Sequence, residues 1–297
     1  MTPYPDEAEY VKVWIAGTEY VNAWQSQWTQ SFQLRPAAAW NGKTGFRKFL
    51  ARFSDVLTLN ASLKHKTRMF LPFARSGEDT NLVANRLNLA NTFSFNTSNS
   101  PFAFDFVVQK NSNTQFLYYG LETNSVDYQE LVLKSTPILQ LYLQTALLHK
   151  NTRNSSTCFT TRDYLVETFS AEQEFRLQFQ NRFTASLKGR YAHKVNRQGT
   201  ELVDQGNAEV SFLYRMLNRG TISLSGEYVN LKGDVGQNST VSYFMLDGLS
   251  IGQNFLWTAT AQISVSQFLQ MALQYQGRAM QGHAVIHTGS VTLNALF

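Results

Sequence analysis

The sequence predicts an all-β chain: an antiparallel transmembrane β-barrel of about fourteen strands, with short turns at one end and longer loops at the other. Three observations predict it. Apolar and polar residues alternate with a period of two over long stretches, and connections of two or three polar residues separate many of those stretches. No run of eighteen apolar residues exists that could cross a bilayer as a helix.

The turns give the register. Asn181-Arg182 separates Phe175, Leu177 and Phe179 from Phe183, Ala185, Leu187, Gly189 and Tyr191. Asn218-Arg219-Gly220 lies between Ala208, Val210, Phe212, Tyr214, Met216 and Ile222, Leu224, Gly226, Tyr228. Ser266-Gln267 joins Phe255, Trp257, Ala259, Ala261, Ile263, Val265 to Leu269, Met271, Leu273, Tyr275. Each pair is a hairpin signature. A helix competes for Phe175, Phe179, Phe183 and Leu187, and for 138–148. It would leave Leu177, Ala185 and Tyr191 unplaced, whereas alternation uses them all.

Strands are therefore expected near 10–18, 22–34, 52–65, 83–96, 101–110, 117–134, 137–150, 162–180, 183–195, 206–217, 220–231, 254–265, 268–277 and 286–297. Together they form one domain over 1–297, with 1–9 disordered or a linker. The stretch Val241 to Gly252 is expected to be an excursion at the loop end, not another strand. From Phe183 to Tyr191 the chain spans roughly 26 Å at about 3.3 Å per residue. A tilt of about 40° leaves roughly 20 Å of height, close to the apolar band of about 25 Å that such barrels show.

Composition agrees. Hydrophobic residues make up 43% of the 297, and charged residues only 16%. That mixture suits strands with an apolar outer row and an uncharged or mixed inner row. The net charge of +5 is dispersed, with no basic block to form a nucleic-acid footprint, so no nucleic acid is expected as a partner. Cys158 is the only cysteine, which excludes an intramolecular disulfide and a thiolate metal cluster. His65, His149, His193, His283 and His287 are scattered, and none has the spacing of a zinc motif. No metal and no cofactor is expected.

The inner row carries Glu174, Arg176, Lys188, Arg190, Lys194, Glu209, Arg215 and Glu227. Two readings follow. The row is either a water-filled lumen that filters solutes by sign and size, or opposite charges on neighbouring strands that pair and stiffen the wall. Trp24, Trp28, Phe183, Tyr191, Trp257 and Tyr275 are candidates for aromatic anchors at the two membrane–water interfaces. Phe46 to Phe53 is either a short interfacial helix, with Arg47, Lys48 and Arg52 opposite its Phe face, or the start of the next strand.

The last eleven residues, His287 to Phe297, put Val291, Leu293, Ala295 and Phe297 on one side and end on an aromatic residue. This resembles the closing strand of an outer-membrane β-barrel. Tyr243 to Trp257, Leu269 to Arg278, His287 to Val291, Leu34-Arg35-Pro36 with Trp40, and Phe46 to Phe53 are similar to the end region of large outer-membrane barrel proteins of the Bacteroidetes. The likeness runs from about residue 11 to 297. Gln276 stands where that pattern often has Glu.

The resemblance implies the outer membrane of a Gram-negative bacterium, with short turns in the periplasm and long loops outside. It makes Val291, Leu293, Ala295 and Phe297 the signal read by the barrel-assembly machinery. It also implies the carboxy-terminal part of a longer protein, in keeping with a start, Met1-Thr-Pro-Tyr-Pro-Asp, that is not a signal peptide. The partners are then outer-membrane lipid, the assembly machinery, and periplasmic or outer-membrane proteins. The expected function is non-enzymatic, a scaffold or passive pore at the cell surface; the alternative is the barrel component of a transport or secretion assembly. An outer-rim hydrolase built from Ser250, Asp247 and His283 is a distant third, because triads are recognised by geometry.

Overall fold

The computed structural model describes residues 22–40, 42, 44–68, 81–96, 101–117, 120–217, 219–236, 239–266 and 268–295. The linker at 1–9, the expected strand at 10–18 and Phe297 lie outside these residues. Thirteen strands follow in one sheet: β1 Trp24–Leu34, β2 Phe53–His65, β3 Leu82–Phe95, β4 Phe102–Leu117, β5 Gly120–Ile138, β6 Leu141–Ser156 and β7 Tyr164–Phe179. The remainder are β8 Phe183–Asn196, β9 Leu202–Met216, β10 Gly220–Asp234, β11 Gly252–Ser264, β12 Leu269–Met280 and β13 Ile286–Ala295. Among the described residues three short α-helices interrupt them, α1 Ala37–Trp40, α2 Phe46–Leu50 and α3 Thr240–Met245, with a 3-10 turn at Thr160–Arg162. No helix among the described residues is long and apolar enough to cross a membrane.

Every strand pairs antiparallel with its neighbour in sequence, from β1 to β13 in order. Among the described residues no ladder joins β13 back to β1, so the sheet is open at both edges. Its register is strongly staggered. Cα partners lead from Leu34, the last residue of β1, through Asp55, Phe93, Phe106, Leu131, Leu147, Ala171, Tyr191, Gly206 and Asn230 to Gln253, near the start of β11. One hydrogen-bonding line thus climbs from one end of the strands to the other. Such a stagger is what tilted strands require if a sheet is to curl into a cylinder.

Directly opposed residues lie on the same face, so the ladders sort the side chains into two sets. One set holds Phe169, Phe175, Leu187, Tyr191, Phe212, Leu224, Phe255 and Val291, all exposed. The other holds Thr168, Ser170, Glu174, Lys194, Gln205 and Asn254, all buried. On β7 alone, Phe169 is 49% exposed between Thr168 at 3% and Ser170 at 9%. From β7 to the start of β11 the polar side is thus turned inward and the apolar side left bare. At the loop end of β2 the apolar side is covered instead: Ala61, Leu63 and His65 are buried.

Three sequence expectations are corrected here. Strand β4 continues through Lys110 to Gln115 rather than stopping near 110, β6 runs to Ser156, β9 begins at Leu202 and β10 reaches Asp234. Backbone pairing continues where apolar alternation has ended, because the ladder needs only N–H and C=O groups. The division of connection lengths also has exceptions. Residues 118–119 alone separate β4 from β5 at the loop end, while α1 and α2 fill a long connection at the turn end. Finally, Phe46–Leu50 is helical and the strand starts only at Phe53, so Phe49 and Ala51 do not begin it.

Close packing fixes two glycines. Gly220 opens β10 with φ +139°, and a Cβ there would lie 1.8 Å from the carbonyl oxygen of Gln262. On the apolar side, the indole of Trp257 lies over Gly277, its partner across β11 and β12. A methyl group at Gly277 would sit 2.2 Å from the ring. Gly277→Ala is therefore expected to force the indole aside and to cost about 1–3 kcal/mol, read as a lower urea midpoint; an unchanged midpoint would show that the ring is not held there.

Candidate functional site

The polar side of β7–β10 carries the densest chemistry. Glu174, Lys188, Glu209 and Glu227 stand opposite one another on successive strands. Lys188 Nζ lies 3.7 Å from Glu172 and 3.9 Å from Glu209. Arg176 donates to the buried Glu174 carboxylate at 2.7 Å. Glu227 accepts from Asn207 at 2.6 Å, and Arg190 stands opposite both Glu172 and Asn207. A cavity of about 210 Å³ opens between Tyr128, Glu130, Ser170, Glu172 and Arg190. Most of these charges have an opposite partner within reach, which fits a stiffened wall.

The sequence reading missed part of this network. Glu172 has the same parity as Glu174 and could have been found from the alternation alone. Asp105 and Lys134 form an ion pair across β4 and β5, and Tyr128 donates to Glu130 at 2.6 Å. These lie on strands whose register the turns did not reveal. Arg215 shares the polar side but is exposed near the turn end.

Lys194 has a different role from its neighbours. Its ammonium donates to the Met245 carbonyl and to the Asp247 carboxylate, each at 2.8 Å. Met245 ends α3, so the cation satisfies a terminal helix carbonyl and lies at the favourable end of the helix dipole. The amino end of α3 is capped reciprocally by Ser239 and Ser242. Val241 and Met245 pack with Tyr164, Val166, Val203, Val229 and Leu231, all from the polar side at its loop end. Tyr164 and Phe244 stack with centroids 5.1 Å apart. The excursion from 239 to 251 is thus no strand, as expected, and it folds back over the polar side of the sheet.

On the other side, aromatic rings collect near both ends of the apolar rows. Phe53, Phe93, Phe95 and Phe104 contact one another near the turn end, as do Phe179, Phe183 and Phe212. Trp24 and Trp28 are exposed on β1. Toward the loop end, Tyr191 donates to Asp204 at 2.7 Å, and Tyr275 bonds His287 at 2.8 Å. A polar fringe begins immediately beyond: His149 stacks on Phe169 and bonds Glu167, and His193 bonds Asp204. Val291, Leu293 and Ala295 lie in β13, whose ten residues are all exposed.

The hydrolase candidates are not assembled. Asp247 is held by Lys194, the Ser250 carbonyl accepts from Asn254, and no hydrogen bond joins Ser250, Asp247 and His283. No group of three His, Cys, Asp or Glu able to hold a metal occurs among the described residues, and Cys158 is a free, exposed thiol. No family model, curated protein or solved structure matches this chain.

Lys194→Ala removes the clamp from α3 and leaves the Met245 carbonyl without its cation. A hydrogen bond to a charged group contributes about 1.5–3 kcal/mol, so the excursion is expected to open more often. Limited proteolysis reads this as faster cleavage within 239–251; unchanged cleavage would mean that apolar packing alone holds α3.

Proposed function

We propose that the chain is an integral outer-membrane β-barrel protein acting as a scaffold or passive pore at the cell surface. One observation carries this reading: over β7–β10 the apolar side of the sheet is bare, while Thr168, Ser170, Glu174, Lys194 and Gln205 on the polar side are buried. In water, the rows from Phe169 to Val291 would need a second layer to cover them, and the described residues provide none. In lipid they need none, because acyl chains are their solvent. Aromatic rings near both ends of the rows, with a polar fringe beyond one, match the girdles of such barrels.

Lipid also forbids bare sheet edges, since an unsatisfied backbone group there costs several kcal/mol. The edges of β1 and β13 must therefore be joined, to one another or through further strands. Joining through strands of another subunit is the second reading, in which the sheet is the barrel component of a transport or secretion assembly. Partners in the first reading are lipid and the assembly machinery, with Val291, Leu293, Ala295 and Phe297 as the signal.

Unboiled protein in detergent is expected to migrate differently from boiled protein on a gel; identical migration would exclude a closed barrel. Lys188→Glu places a third carboxylate beside Glu172 and Glu209. If the inner side conducts, this raises cation preference, read as a shifted reversal potential in planar bilayers. Conductance absent from the folded wild type leaves the scaffold. Deletion of Phe297 is expected to leave the chain unassembled in the periplasm, and normal surface levels of that variant would remove its role as a signal.

A further inference from the structure

The polar side is not uniform. Over β5–β10 its charges are largely paired with opposite charges. Over β1–β4 it becomes a trough of about 500 Å³ lined by amides and hydroxyls. Thr29, Asn60 and Asn88 stand opposite one another across β1, β2 and β3. The adjacent row runs through Gln27, Ser62, Arg86 and Asn113. Lys64 stands opposite Ala84, two residues from Arg86 on the neighbouring strand, so the two cations are diagonal neighbours about 7–8 Å apart at their Cα atoms. Among the described residues no carboxylate and no aromatic ring lines the trough.

We propose that this trough binds an anionic saccharide, a chain of hydroxylated rings bearing carboxylates. Each Asn or Gln amide offers both donors and an acceptor, the pairing that vicinal sugar hydroxyls require. Rows of such groups run across four strands, so an extended chain meets the same chemistry along its length. Lys64 and Arg86 bracket a position for one carboxylate, where a charge-assisted hydrogen bond is about twice as strong as a neutral one. The lining disfavours other ligands. Single-stranded nucleic acid needs aromatic faces on which to stack, and a lipid tail or apolar peptide needs a dry surface that is absent here. The volume lies within the range of about 300–1,000 Å³ typical of small-ligand sites. This proposal rests on the sheet enclosing its polar side, as in the reading above.

The test uses the full chain folded in detergent micelles, with altered gel migration on boiling confirmed for every variant so that loss of the barrel is scored separately. Binding of trigalacturonate, maltotriose and inorganic sulfate is measured by isothermal titration calorimetry. Trigalacturonate is expected to bind saturably and at least about tenfold more tightly than maltotriose or sulfate. Arg86→Ala is expected to weaken it about tenfold, the loss of roughly one charge-assisted contact. Lys110→Ala, an equal charge change on the other side of β4, is expected to leave it unchanged. With the barrel intact, four results would overturn the proposal: no saturable binding, equal affinity for maltotriose, sulfate binding as tightly as the saccharide (a bare anion site), or Arg86→Ala binding like wild type.

Discussion

The structure depends on a side-chain period of two applied to a single layer. Each strand has an apolar and a polar side, and one sheet can bury only one of them by bending. This chain buries the polar one. Glu174 and Lys194 become enclosed while Phe169 and Leu187 remain bare. In water that arrangement inverts the hydrophobic effect, which is the dominant favourable term in folding. In lipid it costs nothing, and the remaining demand is that every backbone group be paired. Among the described residues, the long, sequential ladders meet that demand between each strand and its neighbours.

Enclosing a polar side creates its own problem, because a buried charge is costly unless it is paired. The sheet solves this differently along its width. Over β7–β10 register places Lys188 within reach of Glu172 and Glu209, and Arg176 beside Glu174. At the loop end of the same strands the inner residues become apolar, and α3 packs on Tyr164, Val166, Val203 and Leu231. Lys194 sits at that boundary and serves the helix terminus. Over β1–β4 amides and hydroxyls predominate, with Lys64 and Arg86 among them, and wide polar space is left open. The polar side thus grades from an open amide trough, through a region of paired charges, to a small apolar cluster under α3.

Much of this was legible in the sequence. Alternation with tight turns located β7 to β13, and parity placed Glu174, Lys188, Glu209 and Glu227 on one side. Val241 to Gly252 was identified as an excursion because the count of strands and turns left it no partner. Strand ends beyond the apolar rows were not legible. Lys110 to Gln115 and Asn151 to Ser156 carry no alternating hydrophobicity, yet their backbones pair fully.

By itself the sequence determined the kind of layer: strands, their order, and which residues share a side. These follow from local spacing, and neighbours in the chain are neighbours in the sheet. Tertiary structure alone decided that α3 folds over the polar side, that Lys194 serves that helix, and that amides from β1 to β4 line one trough. Those outcomes depend on the bend and stagger of the whole sheet, which accumulate over many strand pairs and leave no mark on any single segment.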